Sequence, residues 1–275
     1  MSSKQWLSYL DITTFCDLTA KELDAAAKKA RADILKNAKP IPKGTTPTIV
    51  VTVGAPGSGK STVGKLVAES YANNFISIDL DLAVKYHPRF NNLWNFPDAL
   101  TGKATGVGII ETHNLCTSEL SGMMEVVIDE IIAMQKYNII LQAYVSMKGL
   151  KQFSMKKYNV VALCVGVPLK IAQERAWSRS LKTGQFFERT RAEQNEFIKA
   201  VWSMYPEDAM WDSLLVDEVL VVSNKNTTTD PKQLKKFIMS SLQRFDPHKC
   251  VPGNQPKKWL APLAEIRRAI HQSQK

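Results

Sequence analysis

Short apolar runs bounded by turn residues alternate along this chain with longer stretches whose apolar positions recur at helical spacing. The runs Thr48–Val53, Phe75–Ile78, Asn138–Leu141, Val160–Val165 and Val219–Val222 predict strands. The stretches Ser61–Tyr71, Ser118–Gln135, Leu169–Leu181, Ala192–Met204 and Pro231–Leu242 predict helices. In Ser118–Gln135 the apolar positions are Met123, Val126, Val127, Ile131 and Met134. Strands that are apolar throughout are covered on both faces, and strands alternating with helices form parallel sheets. The pattern therefore predicts an α/β fold: a mostly parallel sheet flanked by helices.

The flanks read differently. Thr19–Asn37 predicts a helix, with Thr19 as N-cap, Glu22 at the capping-box offset and Ala25, Ala26, Ala27 and Ala30 supplying propensity. Lys39-Pro40-Ile41-Pro42-Lys43-Gly44 then breaks the chain. A long irregular segment with Pro88, Pro97, Gly102, Gly106 and Gly108 follows the second strand. The last part is proline-rich until Leu260, where a short helix runs to His271. Residues 1–44 thus read as a helical N-terminal arm, 45–245 as the core and 246–275 as a basic, helical C-terminal tail.

Composition narrows the class. No apolar run approaches the roughly 20 residues that cross a bilayer, and the first residues lack the apolar core of a secretory signal. The expectation is a soluble, cytoplasmic protein, in its own cell or a host's, with no membrane partner. Cys16, Cys116, Cys164 and Cys250 stand far apart and form no zinc or disulfide pattern. The net charge is +10, which suits nucleotides, nucleic acids or other anions, or simply solvated helix faces.

The most specific chemistry follows the first strand. Gly54-Ala55-Pro56-Gly57-Ser58-Gly59-Lys60-Ser61 matches the phosphate-binding loop G-x-x-x-x-G-K-[ST], between a strand and a helix as that motif requires. The glycines let backbone N–H groups turn inward on an anion, and the next helix presents its positive end there. Lys60 reaches the outer phosphates, Ser61 holds magnesium, and Thr62 stands next in the helix. ATP and Mg2+ are the implied ligands.

Asp79-Leu80-Asp81 closes the second strand. Ligands of open parallel sheets bind outside the carboxyl ends of the strands, so this pair faces the same crevice as the loop. One carboxylate can take the proton of an attacking hydroxyl while the other orients magnesium. Here the chain resembles the zeta-toxin kinases: Asp81 stands twenty residues after Ser61, and His87-Pro88 follows it. The long helix before Tyr137-Asn138-Ile139-Ile140 and the arginine-bearing helix near 170–190 extend the likeness over roughly 48–200.

The resemblance implies a P-loop kinase that transfers the ATP γ-phosphate to an alcohol. The acceptor in that family is often the 3′-hydroxyl of UDP-N-acetylglucosamine, and in some relatives a nucleotide ribose. By position it implies Lys60 as phosphate clamp, Asp81 as general base and Ser61 as magnesium ligand; Asp79 joins Ser61 at the metal on the reading of the carboxylate pair. Two departures stand out. The family's Glu-Gly-Thr after the strand reads Gln142-Ala143-Tyr144 here, and its basic residue three positions after the Asp is matched by Lys85 at four. Gln142 can hydrogen-bond but carries no charge.

Arg175 and Arg179 share one helix face, and Arg189 follows a turn. Such arginines grip phosphates bidentately; Arg179 and Arg189 match the family's catalytic pair, and Arg175 is assigned to the nucleotide. Lys85, His87, Glu111, Glu125 and Gln142, with Asp79, form the candidate substrate side. His87 serves there more as a loop anchor than as a catalyst. Two other functions remain open on the sequence: a polynucleotide or tRNA end kinase, and an inactive nucleotide-binding regulator. The N-terminal helix either packs on the core or meets an antitoxin-like protein.

Overall fold

The computed structural model describes residues 17–69, 74–79, 83, 85–88, 122–142, 156–183, 190–203, 216–225, 230–245 and 260–275. They fall into two compact units. One, drawn from Asn37–Asp79, Ile132–Arg175 and Ile198–Lys275, holds the sheet. The other, drawn from Met1–Lys36, Leu80–Ile131 and Ala176–Phe197, is helical where described.

Five parallel strands build the sheet: β1 (Thr48–Val53), β2 (Phe75–Asp79), β3 (Asn138–Gln142), β4 (Asn159–Gly166) and β5 (Glu218–Ser223). Their order is β2-β3-β1-β4-β5, and β6 (Gln243–Phe245) adds an antiparallel edge beside β5. The sequence pattern misses β6, because three residues are too few to show alternation. The helix expected to reach Leu242 ends at Ser241, where Leu242 turns extended and leads into that edge. Arg244 Nη1 pairs with Glu218 Oε1 across the edge at 2.9 Å.

Alternation sorts the sheet's side chains onto two faces. Val50, Ile140, Val161, Leu163, Val165, Leu220 and Val222 pack under α1 and α2 of this unit, α1 being Lys60–Ala68 and α2 Pro231–Ser241. Val63 and Val67 of α1 and Ile238 of α2 are fully buried in that layer. Asp230 caps α2, its side chain accepting from Lys232 N, and Pro231 opens it. The opposite face receives α3 (Leu260–Ser273), which packs on β4, β5 and β6. Part of the expected tail is therefore a sheet-covering helix. A Cβ at Gly166 would collide with Ser273, so the β4 end and the α3 end touch closely.

Two further helices, α4 (Leu169–Thr183) and α5 (Arg191–Ser203), run through both units. Thr190 and Glu193 cap α5 reciprocally. The helical unit also contains α6 (Ala20–Leu35), whose start is the expected capping box of Thr19 and Glu22. Arg31 of α6 bonds Glu130 at 2.7 Å, an exposed pair worth at most about 1 kcal/mol. Glu130 lies on a helix over 122–134. Its inward stripe is Met123, Met124, Val127, Ile128, Ile131 and Ile132. Val126 and Met134, expected on the apolar face, are instead 55% and 36% exposed. Met123, Val127 and Ile131 face inward as expected, and Met124, Ile128 and Ile132 complete the buried face in place of Val126 and Met134. No helix among the described residues is long and apolar enough to cross a membrane.

Candidate functional site

The strand order places a switch point beside β1. The connection leaving β1 runs toward the β2 end of the sheet, whereas that leaving β4, its neighbour, runs toward β5. Right-handed crossovers send these two connections to opposite faces and open a crevice between the carboxyl ends of β1 and β4. The expected phosphate loop leaves β1 at that point.

Its geometry follows from its glycines. Gly59 sits at φ +85°, a conformation that side chains resist, and serves as N-cap of α1 without any side-chain cap. The start of α1 therefore keeps its positive end clear of capping side chains. Gly54 is needed for space: a Cβ there would lie 2.7 Å from the Val165 carbonyl and 2.8 Å from Ser58 Oγ. Ala55 and Ser58 are buried, Pro56 and Gly57 half-buried, and Ser61 and Thr62 exposed at the helix start. The Ser58 hydroxyl has no hydrogen-bond partner among the described residues. Lys60 Nζ lies over the loop, donating to the carbonyls of Gly54 at 2.8 Å and Ala55 at 3.1 Å. A buried lone hydroxyl, an uncapped helix start and a lysine poised above them fit an oxyanion such as phosphate.

Next along the sheet lies the end of β2 and β3. Asp79 and Gln142 are register partners, and Gln142 also pairs in register with Thr52 of β1. Ser77, Asp79 and Gln142 project from the α1 face, the face of the loop's helix. Gln142 is buried, and its Nε2 donates to Ser77 Oγ at 2.7 Å. That bond orients the amide, and sequence reasoning did not foresee Ser77 as its partner. Asp79 is half-buried. Ser61 and Asp79 are oxygen donors of the hard type that magnesium takes. Among the described residues no cluster of three or more His, Cys, Asp or Glu exists. A site relying on one hydroxyl, a carboxylate and the ligand's own phosphates fits magnesium's habits.

Across the crevice, Asn224 follows β5. It was not a sequence candidate, although it stands at a strand's carboxyl end, the position that drew attention to Asp79. Its Nδ2 donates to the Ser58 carbonyl at 2.6 Å. Arg175, half-buried on α4, donates from Nη1 to the Asn224 carbonyl at 2.9 Å. Burial lowers the guanidinium's pKa.

The remaining candidates divide. Arg179 and Glu125 are exposed side chains of the helical unit. Lys85 is exposed, with Nζ 4.8 Å from the Tyr86 ring centre. His87 is buried, 2% exposed. Asp81, Glu111 and Arg189 lie outside the described residues.

Residues 31–230 match the family model for Zeta toxin. No curated protein matches the chain. Among solved structures, the chain is similar to one from the PezAT chromosomal toxin-antitoxin system of the human pathogen Streptococcus pneumoniae. That likeness has 12% identity and a TM-score of 0.53, covering 94% of this chain and 99% of the other. Shikimate kinase from Acinetobacter baumannii, solved with shikimate, aligns at 15% identity and a TM-score of 0.42, covering 71% of this chain and 92% of that one.

Proposed function

The chain belongs to the zeta-toxin family, and from that membership we propose that it transfers the γ-phosphate of ATP to a hydroxyl group of a small substrate. The acceptor we favour is a nucleotide-sugar resembling UDP-N-acetylglucosamine, or the ribose of a nucleotide. The observation that carries the reading is the loop at the β1 end. Its uncapped helix start, lone buried hydroxyl and overlying Lys60 are built for the oxygens of a polyphosphate.

Lys60 holds the outer phosphates and moves with the transferring group, and the loop amides offset charge without reorganising. Magnesium, when bound, supplies Lewis-acid charge neutralisation, with Ser61 and Asp79 as the residues that would hold it. Asp81 accepts the proton of the attacking hydroxyl. Arg179 and Arg189 neutralise charge spreading over the phosphoryl oxygens, a task that suits their planar forks. Lys85, Glu111, Glu125 and Gln142 belong to the acceptor side, with His87 anchoring the chain after Asp81. Membership in a toxin family also supports a protein partner of antitoxin type, and α6 is a candidate surface for it.

The test is incubation with ATP, Mg2+ and a metabolite panel, with products identified by mass spectrometry. Lys60→Ala is expected to abolish transfer. Asp81→Ala is expected to abolish it while leaving ATP binding within about twofold. Transfer retained in Asp81→Ala removes that residue from the base role.

A further inference from the structure

Asn224 ties three chain segments together, and none of its bonds is explained by the transfer chemistry above. It is 6% exposed. Its side-chain Nδ2 donates to the Ser58 carbonyl in the phosphate loop at 2.6 Å. Its backbone N–H donates to the Gly166 carbonyl at the end of β4, at 2.8 Å. Its own carbonyl accepts from Arg175 Nη1 on α4, at 2.9 Å. Alternation from Leu220 and Val222 directs the Asn224 side chain to the α1 face, where the loop lies. Its Nδ2 comes so near Gly59 that a Cβ at Gly59 would collide with it.

A glycine-rich loop has the most backbone freedom to lose when it closes on an anion. A cradle aimed before its ligand arrives avoids that cost at binding. Fastening Ser58 to the end of the interior strand β5 by a buried bond removes the freedom in advance. The anchor is stiff because Asn224 continues the β5–β4 ladder by one more bond and carries Arg175 on its carbonyl. Arg175, expected at the nucleotide, also donates to this backbone through Nη1.

We propose that Asn224, held by Arg175, is a positioning residue that fixes the phosphate loop in its anion-binding form, so that ATP affinity depends on its side-chain amide. This rests on the ATP-kinase reading. The decisive variant is Asn224→Leu, which roughly keeps the volume, adds no charge beside the phosphates and cannot donate to the Ser58 carbonyl. In the full-length protein with Mg2+, its ATP dissociation constant is expected to rise about tenfold. Hydrogen exchange of the loop amides at 57–61 is expected to quicken in the nucleotide-free variant, while exchange in β1 and β4 stays unchanged.

Arg175→Lys is expected to weaken ATP binding in the same direction by about threefold. A purely structural role would lower the melting temperature and leave the affinity of the folded protein intact; that result overturns the proposal. Should Asn224→Leu fold poorly, Asn224→Ala, which keeps the backbone bonds and loses every side-chain donor, carries the same test. Lys60→Ala serves as the control. If it loses ATP binding and the Asn224 variants do not, the positioning role fails and the kinase reading stands. If Lys60→Ala binds ATP like the wild type, the kinase reading itself fails.

Discussion

The loop after β1 and the paired ends of β2 and β3 lie in one sheet but are built from different materials. The loop is a backbone device. Its recognition groups are amides and a helix end, its glycines make room, and its bonds go to carbonyls of Gly54, Ala55 and Ser58. The β2–β3 end is a side-chain device: Asp79 stands beside Gln142, which is aimed by Ser77. A backbone device binds what every nucleoside triphosphate shares. A side-chain device can change one residue at a time, and it is there that the resemblance read from the sequence implies a glutamate where this chain has Gln142. On the proposed function, phosphate binding and acceptor choice are physically separable here.

That separation can be broken by substitution. The largest effect is expected from Gly59→Ala. It forces an L-residue to φ +85° and drives a methyl group into Asn224. The cost is on the order of 1–3 kcal/mol. ATP affinity measured by titration calorimetry should fall tenfold or more. Gln142→Leu should do the reverse, leaving ATP affinity within about twofold and cutting acceptor turnover by about tenfold, because the aimed amide is lost. Steady-state kinetics in each substrate separate the two. If Gln142→Leu weakens ATP and spares the acceptor, the division of labour is wrong. Gln142→Glu sharpens the comparison by installing the glutamate that the resemblance implies. It adds a charge beside Asp79 and should shift acceptor preference or pH dependence without altering the phosphate loop.

The smallest effect concerns the sheet that supports both devices. Burial raises the Tyr158 phenol from 10.0 to about 12, so between those values the folded protein keeps a proton that the unfolded chain has lost. Stability is therefore full below about pH 10 and falls as pH rises toward 12. Denaturant titrations across that window should show the decline, and Tyr158→Phe should remove this part of it.

Much of the architecture was legible in the residues. Strand runs such as Thr48–Val53 and Val160–Val165 are apolar on both faces because helices cover both, and capping at Thr19 is a local bond between residues three apart. The phosphate loop was legible for the same reason, since its groups are neighbours in the chain. Less was visible where partners are distant. Val126 was expected inward, although Met124, Ile128 and Ile132 make the better-buried stripe. The β6 edge carries no pattern of its own and exists only because β5 offers it a partner.

By itself the sequence determined the alternating fold, the strand that launches the phosphate loop and the residues that line it, because these follow from local spacing and backbone conformation. Tertiary structure alone decided that Ser77 orients Gln142, that Asn224 holds Ser58 from 166 positions away, and that Arg175 is engaged with that asparagine's carbonyl. Sheet order and register bring those groups together, and no short stretch of chain encodes which distant strand end will stand beside another.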